Sequence, residues 1–585
     1  MILATCSLAE KWKSMTDVIN GHYPLGTAAL HAVVESAGHH VETLHLLTDP
    51  TETCVAKVLA AVENQQADVL GLSMITDTRV ASYRAIEAAH QRFPRLQIVL
   101  GGIHASIMYQ QLLRKYPFTI VVLGEGEVTL VELLAALETG RDLSEIAGIA
   151  YVKNGQVITT AARPLVEDLD SLPFPRHEIF FTPERTEAQL LTSRGCPFTC
   201  SFCSLDSLSR RRVRKRSAKN VADEIEHILR TFPQTKSIQI LDDQFFIDNE
   251  RVIELCDEIV RRGLKCSFLC QGRVKPLSRE LVLALERAGF VHVLLGLESG
   301  SAEILERCRK KIQIPDVERA LHLFADSPIS VGVLLIIGLP GETAETIRET
   351  IEVCRRLQNI KYHYYNIKIQ DLFIYPGTEV YQDAKLAGAI DDDFWLTDAD
   401  CPRYEVDNSP EQYLKYRMMA IKDLCLDSIT TEQGYLSQKD MTHSIIKYKY
   451  LYKTTECDKI IELVEAAVTS ALAKGTLSFI GVKPWDTNAK AVVTARKPGT
   501  DDSVMLGQVA FPNDIFEILR HAYIFDLQPI TNAVERCVCQ FLEEAFAAAD
   551  RRLIQFQAPY IRLLEQYLQA ETALDKTTQP FDVAQ

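Results

Sequence analysis

Short apolar runs of strand length alternate along the first 140 residues with longer stretches whose apolar residues recur every three or four positions. The runs are Ile2–Cys6, His40–Leu46, Asp68–Met74, Gln97–Gly101 and Phe118–Leu123. Between them the spacing predicts helices over Gly26–Ala37, Glu52–Asn64, Arg79–Phe93 and Ile107–Tyr116, with Glu127–Leu137 after the last run. Such alternation predicts a parallel, doubly wound α/β sheet with helices on both faces. Ligands of these sheets bind at the carboxyl ends of the strands. Three loops fall there: Ser73-Met74-Ile75-Thr76, Gly101-Gly102-Ile103-His104 and Gly124-Glu125-Gly126-Glu127. Glycine lets a backbone approach a ligand closely, although the same residues also make plain tight turns.

A second series begins after a linker. The linker carries the turn signal Asn154-Gly155 and ends in Leu172-Pro173-Phe174-Pro175-Arg176, whose prolines rule out a continuous helix. Six strand-like runs then follow, separated by helix-length segments: Gln189–Ser193, Ser237–Leu241, Ser267–Gln271, Val291–Leu295, Ser330–Ile337 and Tyr364–Phe373. Each ends in a polar or glycine-rich group. In order these are a cysteine loop, Asp242-Asp243-Gln244, Gly272-Arg273, Glu298-Ser299-Gly300-Ser301, Gly338–Glu342 and Pro376-Gly377-Thr378. In a parallel β/α barrel the chemistry sits where strands end and loops begin. Beyond residue 400 the pattern predicts helices at Pro410–Ile429, Asp458–Ala473, Ile530–Ala549 and Ile554–Thr572, with strands near Leu477–Val482 and Ala491–Arg496. Cys537-Val538-Cys539 lies in that region, and on a helix its two thiols would point apart. The expected division is 1–140, a Rossmann-like domain; 141–184, a linker; 185–387, a partial (β/α)6 barrel; and 388–585, a mostly helical part with a small α+β insertion.

The cysteine loop reads Cys196-Pro197-Phe198-Thr199-Cys200-Ser201-Phe202-Cys203. Thiolates are the usual ligands of iron–sulfur clusters, and three of them leave one iron of a cubane open for a ligand. A structural zinc site is the alternative; it wants four closed ligands, with Cys266 and Cys270 to complete them. Composition narrows the field. A net charge of −15 argues against nucleic acid as a partner, and no run approaches the length of a membrane span. Fifteen cysteines without a secretory signal point to a reducing, cytoplasmic setting. The one basic run, Arg210–Arg216, reads as a solvated loop or as a screen for a negatively charged ligand. No Gly-x-Gly-x-x-Gly follows the first strand, which disfavours a dinucleotide.

The loop Cys-x3-Cys-x2-Cys, with aromatic Phe202 before its third cysteine, resembles the signature of radical S-adenosylmethionine (SAM) enzymes, and the likeness extends over Ala188–Ala387. The front region, through GGIHAS and LGEGE, resembles the B12-binding domain that precedes many such barrels. The resemblance implies a [4Fe–4S] cluster on Cys196, Cys200 and Cys203, and SAM near Phe202, Asp242, Asp243, Arg273, Glu298, Ser299, Gly338 and Glu342. It implies cobalamin over Ser73, Thr76, Gly101, Gly102, His104, Gly124 and Glu125. The Asp-x-His-x-x-Gly motif is absent, so cobalt would carry water or nothing below it. The implied activity is methyl transfer to an unactivated carbon through a 5′-deoxyadenosyl radical and methylcobalamin. The substrate would be a small molecule, lipid or peptide, and flavodoxin or ferredoxin would supply electrons. Ring formation or rearrangement is a second reading; a cobalamin sensor with a vestigial barrel is a third. Methylthiolation of RNA would need a second cluster, for which the front domain offers only Cys6 and Cys54. The motif makes one direct prediction. Replacing Cys196, Cys200 and Cys203 with alanine removes the iron and abolishes SAM cleavage, as measured by iron content and 5′-deoxyadenosine formation.

Overall fold

A computed structural model describes residues 1–8, 23–183, 185–361 and 365–424, together with strand segments at 428–429, 478–485, 490–496 and 503–510. One compact unit holds residues 1–417 and contains both expected sheets.

The first sheet has the strands β1 (Ile2–Thr5), β2 (Glu42–His45), β3 (Val69–Ser73), β4 (Gln97–Gly101), β5 (Thr119–Val122), β6 (Ile149–Lys153) and β7 (Gln156–Thr159) in the order β2-β1-β3-β4-β5-β6-β7. The first five are parallel. The chain reverses direction across the sheet between β1 and β3, which places the ligand crevice above their carboxyl ends. Helices bury apolar side chains on both faces, in one cluster around Leu70, Leu72 and Ile98 and another around Leu3, Val99 and Ile120. The Asn154-Gly155 turn does close a hairpin. Its strands β6 and β7 pair antiparallel onto β5 and extend the front sheet, so the stretch read as linker begins as part of that sheet.

The second sheet carries six parallel barrel strands in sequence order: β8 (Glu187–Leu190), β11 (Ser237–Ile240), β12 (Ser267–Gly272), β13 (Phe290–Glu298), β14 (Ser330–Ile337) and β15 (Tyr365–Asp371). Among the described residues no pairing joins β8 to β15, so the barrel is open. Its helices start where the sequence offers a cap. The side chains of Ser217, Asp248, Ser278 and Thr343 accept the N–H of the residue three positions on, at 3.1–3.3 Å. The first of these helices, Ala218–Thr231, then buries Val221, Ala222, Ile225 and Ile228 against the sheet. A two-residue ribbon, β9 (Ser193–Arg194) with β10 (Arg214–Lys215), closes the base of the cysteine loop.

The segment after the barrel clasps the front domain. Trp395 is fully buried beside His104, and the Tyr83 hydroxyl donates to the Trp395 carbonyl at 3.0 Å. Arg114 pairs with Asp393 at 3.0 Å, and Tyr375 donates to Asp77 at 3.3 Å. The helix expected from Pro410 runs to Leu424. In the second unit Ser478–Trp485, Lys490–Arg496 and Ser503–Ala510 form an antiparallel sheet; the third strand had no signal in the pattern. The helices expected at 458–473, 530–549 and 554–572, and Cys537 with Cys539, lie outside the described residues. No helix among the described residues is long and apolar enough to cross a membrane. Trp395→Ala removes the largest buried side chain of the clasp, and chemical unfolding should show a loss of about 3–5 kcal/mol.

Candidate functional site

The carboxyl ends of the two sheets open onto one cleft. Ser73, Gly101, Gly102, Gly124 and Glu125 line it from the front sheet; Arg194, Gly195, Leu208, Arg214 and Asp243 line it from the barrel. Its volume is about 290 Å³. An apolar extension runs beneath the front sheet between Met1, Leu3, Val99 and Val122 on one side and Leu30 and Leu130 on the other. Two glycines on the walls are obligatory. Gly102 has φ +89°, and a Cβ there would lie 2.5 Å from the Met74 carbonyl oxygen; Gly195 has φ +93°, with 2.1 Å to the Arg212 carbonyl oxygen.

An ionic network fastens the two walls. Glu125 accepts from Arg214 Nη1 at 2.7 Å, from Arg194 Nη1 at 3.3 Å and from the Val166 N–H at 2.9 Å. Arg194 also reaches Glu127 at 2.7 Å. Burial alone would raise the Glu125 pKa; the two arginines and the Val166 N–H outweigh it and hold the carboxyl below its ordinary value. Arg194, Glu127 and Arg214 were not expected as site residues. Nothing in their local pattern signals partners as far as 69 and 89 positions away. The basic run is spent in the same way, on Asp206, Glu167, Glu125, Asp248 and Glu224, so most of it is neither a free patch nor a screen.

The three cysteines follow β9 on a loop tied at both ends. The Gly195 N–H donates to Asp243 at 2.8 Å, and the Ser201 N–H to the Cys308 carbonyl at 3.1 Å. Burial pushes the Cys203 thiol up to about 11 and raises Cys196 as well. A thiol held protonated by burial gives up its proton when a metal cation takes its place. Arg273 sits over the Phe198 ring at 3.8 Å, with Nη1 3.6 Å from Cys200 Sγ and a second, buried Nη2 that has no partner. Cys266 precedes β12, at the end opposite the cysteine loop, and Cys270 is buried within the strand. They do not complete a four-thiolate zinc site. Three thiols on one loop beside a fixed cation fit a cluster with one open iron.

Farther round the barrel mouth, Glu298 ends β13 with φ +71°, an uncommon backbone for a side-chain-bearing residue. Lys310 Nζ lies 2.5 Å from its Oε1, while its buried Oε2 has no partner. Glu342 is buried beneath Gly338, whose N–H donates to it at 2.6 Å.

A radical SAM superfamily domain matches residues 190–354, and a B12 binding domain matches residues 15–134. An uncharacterized methyltransferase of Pyrococcus horikoshii is 31% identical over 369 residues, covering 62% of this chain and 78% of that protein. The chain belongs to the cobalamin-binding radical SAM enzyme family. The anaerobic magnesium-protoporphyrin IX monomethyl ester cyclase of Rubrivivax gelatinosus is likewise 31% identical, over 58% of this chain and 63% of its own length. The fold matches that of the radical SAM methyltransferase TsrM from Kitasatospora setae, solved with cobalamin and a [4Fe–4S] cluster. That match has a TM-score of 0.53 and 20% identity, and covers 66% of this chain and 75% of that one.

In this radical SAM enzyme several expected contacts have other work. His104 is buried, with Nδ1 3.2 Å from Thr76 Oγ1 and Nε2 3.1 Å from the Tyr83 hydroxyl. Burial and the Arg79 charge push its pKa down to about 3. His104 and Thr76 therefore brace the loop from behind, while Ser73, Gly101, Gly102, Gly124 and Glu125 face the cleft. Asp242 is enclosed by Thr192 N–H and Ser193 Oγ, both at 2.6 Å, and ties β8 to β11; Asp243 is the member that borders the cleft. The Ser299 hydroxyl lies 3.2 Å from Thr350 and accepts the Ser301 N–H, which makes it a brace for the loop. Phe202 is half-buried against the core shared with the front domain. Cys6 and Cys54 are fully enclosed in the front-domain core, which leaves no exposed thiols there for a second cluster.

Burial pushes the Glu342 carboxyl up to about 8, against the Gly338 N–H that favours its ionised form. A carboxyl whose folded pKa is raised stabilises the fold while protonated, and that contribution fades as pH climbs from its ordinary 4.5 toward about 8. Urea midpoints of the enzyme should therefore fall across that window. Glu342→Gln, which mimics the protonated acid, should flatten the fall.

Proposed function

We propose that this enzyme transfers a methyl group to an unactivated carbon of a small molecule, and that the shared cleft is where transfer occurs. The observation that carries the reading is the facing of Gly101, Gly102 and Gly124 toward the cysteine-loop flank Arg194–Gly195 across a single cavity. When bound, the cluster and SAM supply hydrogen abstraction from carbon and cobalamin supplies the methyl group.

The chain's own residues do the placing. Cys196, Cys200 and Cys203 would hold the cluster, and Arg273, with its unpaired Nη2, would meet a carboxylate of SAM. Glu298, fixed by Lys310, offers its free oxygen to a ligand hydroxyl. The glycines of the front loops would let cobalamin approach closely, and the apolar extension beneath the sheet would help to hold it. The Glu125–Arg214–Arg194 network holds the walls in register. The electron would come from a small carrier such as flavodoxin or ferredoxin.

Anaerobic reconstitution followed by turnover with trideuteromethyl-SAM tests the reading. Label in a product carbon is the expected result; SAM cleavage with ring closure and no label would favour the cyclase alternative. The lower cobalt face should also lack imidazole. His104 is locked between Thr76 and Tyr83, and His31 Nδ1 lies 2.9 Å from Thr43 Oγ1; His22, the third candidate, lies outside the described residues. Electron paramagnetic resonance of the Co(II) form should show no axial nitrogen splitting; a clear splitting would overturn this.

A further inference from the structure

The two faces of the barrel sheet differ. Side chains of Val293, Leu295, Val331, Val333, Leu335 and Ile369 lie on the face that the helices cover, and all are fully buried. The alternate positions face the barrel interior, because successive side chains of a strand point to opposite sides. There Gln239, Leu269, Gln271, His292, Leu294, Leu334 and Lys368 keep partial exposure, and Gln370 is exposed. A closed barrel core would bury both faces equally. This interior is open.

Two lysines stand in it, Lys310 over Gly296 and paired with Glu298, and Lys368 on β15. Lys368 lies in register with Leu334, which is paired in turn with Gly296, two residues before the strained Glu298. It is therefore about one side-chain layer below the barrel mouth. Among the described residues no carboxylate pairs with Lys368, and burial is what holds its ammonium below the ordinary lysine value. His292, on the same interior face, is pushed down to about 4 by burial and by the Lys368 charge, so it is a neutral hydrogen-bonding group near neutral pH. Keeping a partly desolvated cation without a carboxylate partner carries a cost, and an anionic ligand offsets it.

We propose that the barrel interior binds the substrate by an anionic group, a carboxylate or a phosphate, which pairs with Lys368 and accepts hydrogen bonds from the interior-facing Gln271 and Gln370. The inference rests on the small-molecule reading above and narrows it: the substrate is an acid whose charged end lies deep in the barrel, leaving its reacting carbon toward the mouth. Gln370, two positions along β15 from Lys368, and Gln271, on the same face of β12, supply neutral amide donors of the kind a small oxyanion accepts from.

The test uses the full-length, cofactor-loaded chain and needs no knowledge of the substrate. Lysines are acylated briefly with acetic anhydride and the modified sites are mapped by mass spectrometry, with and without inorganic phosphate or benzoate. Either anion, at several times its dissociation constant, should slow acylation of Lys368 about fivefold or more by mass action. Lys219, whose side chain is 75% exposed, should be unaffected. Protection by phosphate alone points to a phosphate ester, by benzoate alone to a carboxylic acid, and by both to a site that reads charge. Equal acylation with and without both anions would overturn the proposal, as would a Lys368 that stays unmodified while surface lysines are consumed. Iron and cobalt contents of the same sample judge the cofactor reading separately. A chain that takes up neither metal refutes that reading whatever Lys368 does.

Discussion

Everything at this site depends on the Glu125 carboxylate being held by two arginines from the barrel. Glu125 belongs to the loop after β5 of the front sheet; Arg194 and Arg214 belong to the ribbon that closes the cysteine loop. Charges this enclosed are stable only when paired, so the network fixes the distance between the two strand-end surfaces. A second fastening comes from Trp395 with Tyr83, Asp393 with Arg114 and Tyr375 with Asp77. Between the two fastenings the front domain has little freedom to slide, and a cavity remains where the two sets of loops meet.

Some departures from ordinary backbone and ordinary pairing lie at the strand ends of the two sheets. Gly102 and Gly195 adopt positive φ against a neighbouring carbonyl, and Glu298 does so with a full side chain. Buried polar atoms without a partner include Arg273 Nη2, Glu298 Oε2 and Gln244 Nε2, all at the barrel mouth. Each such atom costs stability in an empty fold. Such open valences can meet polar ligand groups, and they separate these residues from Asp242 and Ser299, whose hydrogen bonds are already made.

The same logic separates the two histidine and lysine environments. His104 has both ring nitrogens occupied and acts as part of the front-domain core. Lys310 is paired with Glu298, whereas Lys368 stands without a described counter-charge in an open interior. Polar residues of one type thus serve as bracing or as reception according to whether the fold already satisfies them.

The sequence by itself determined the repeating order of strands and helices, because period and capping are local: Ser217, Asp248, Ser278 and Thr343 announce their helices within three residues. It also determined the cysteine loop, since Cys196, Cys200 and Cys203 lie within eight positions and need no folding to be recognised as a set. Only the tertiary structure decided which strand-end residues face a ligand. Thr76 and His104 sit on the same loops as Ser73 and Gly102, yet point into the core, because side-chain direction at a strand end is set by what packs behind it. Nor could local pattern reveal that Asn154-Gly155 extends the front sheet, that Arg210–Arg216 is largely consumed by distant acids, or that Lys368 faces an open interior. Those outcomes depend on contacts between residues far apart in the chain, and composition and spacing carry no record of them.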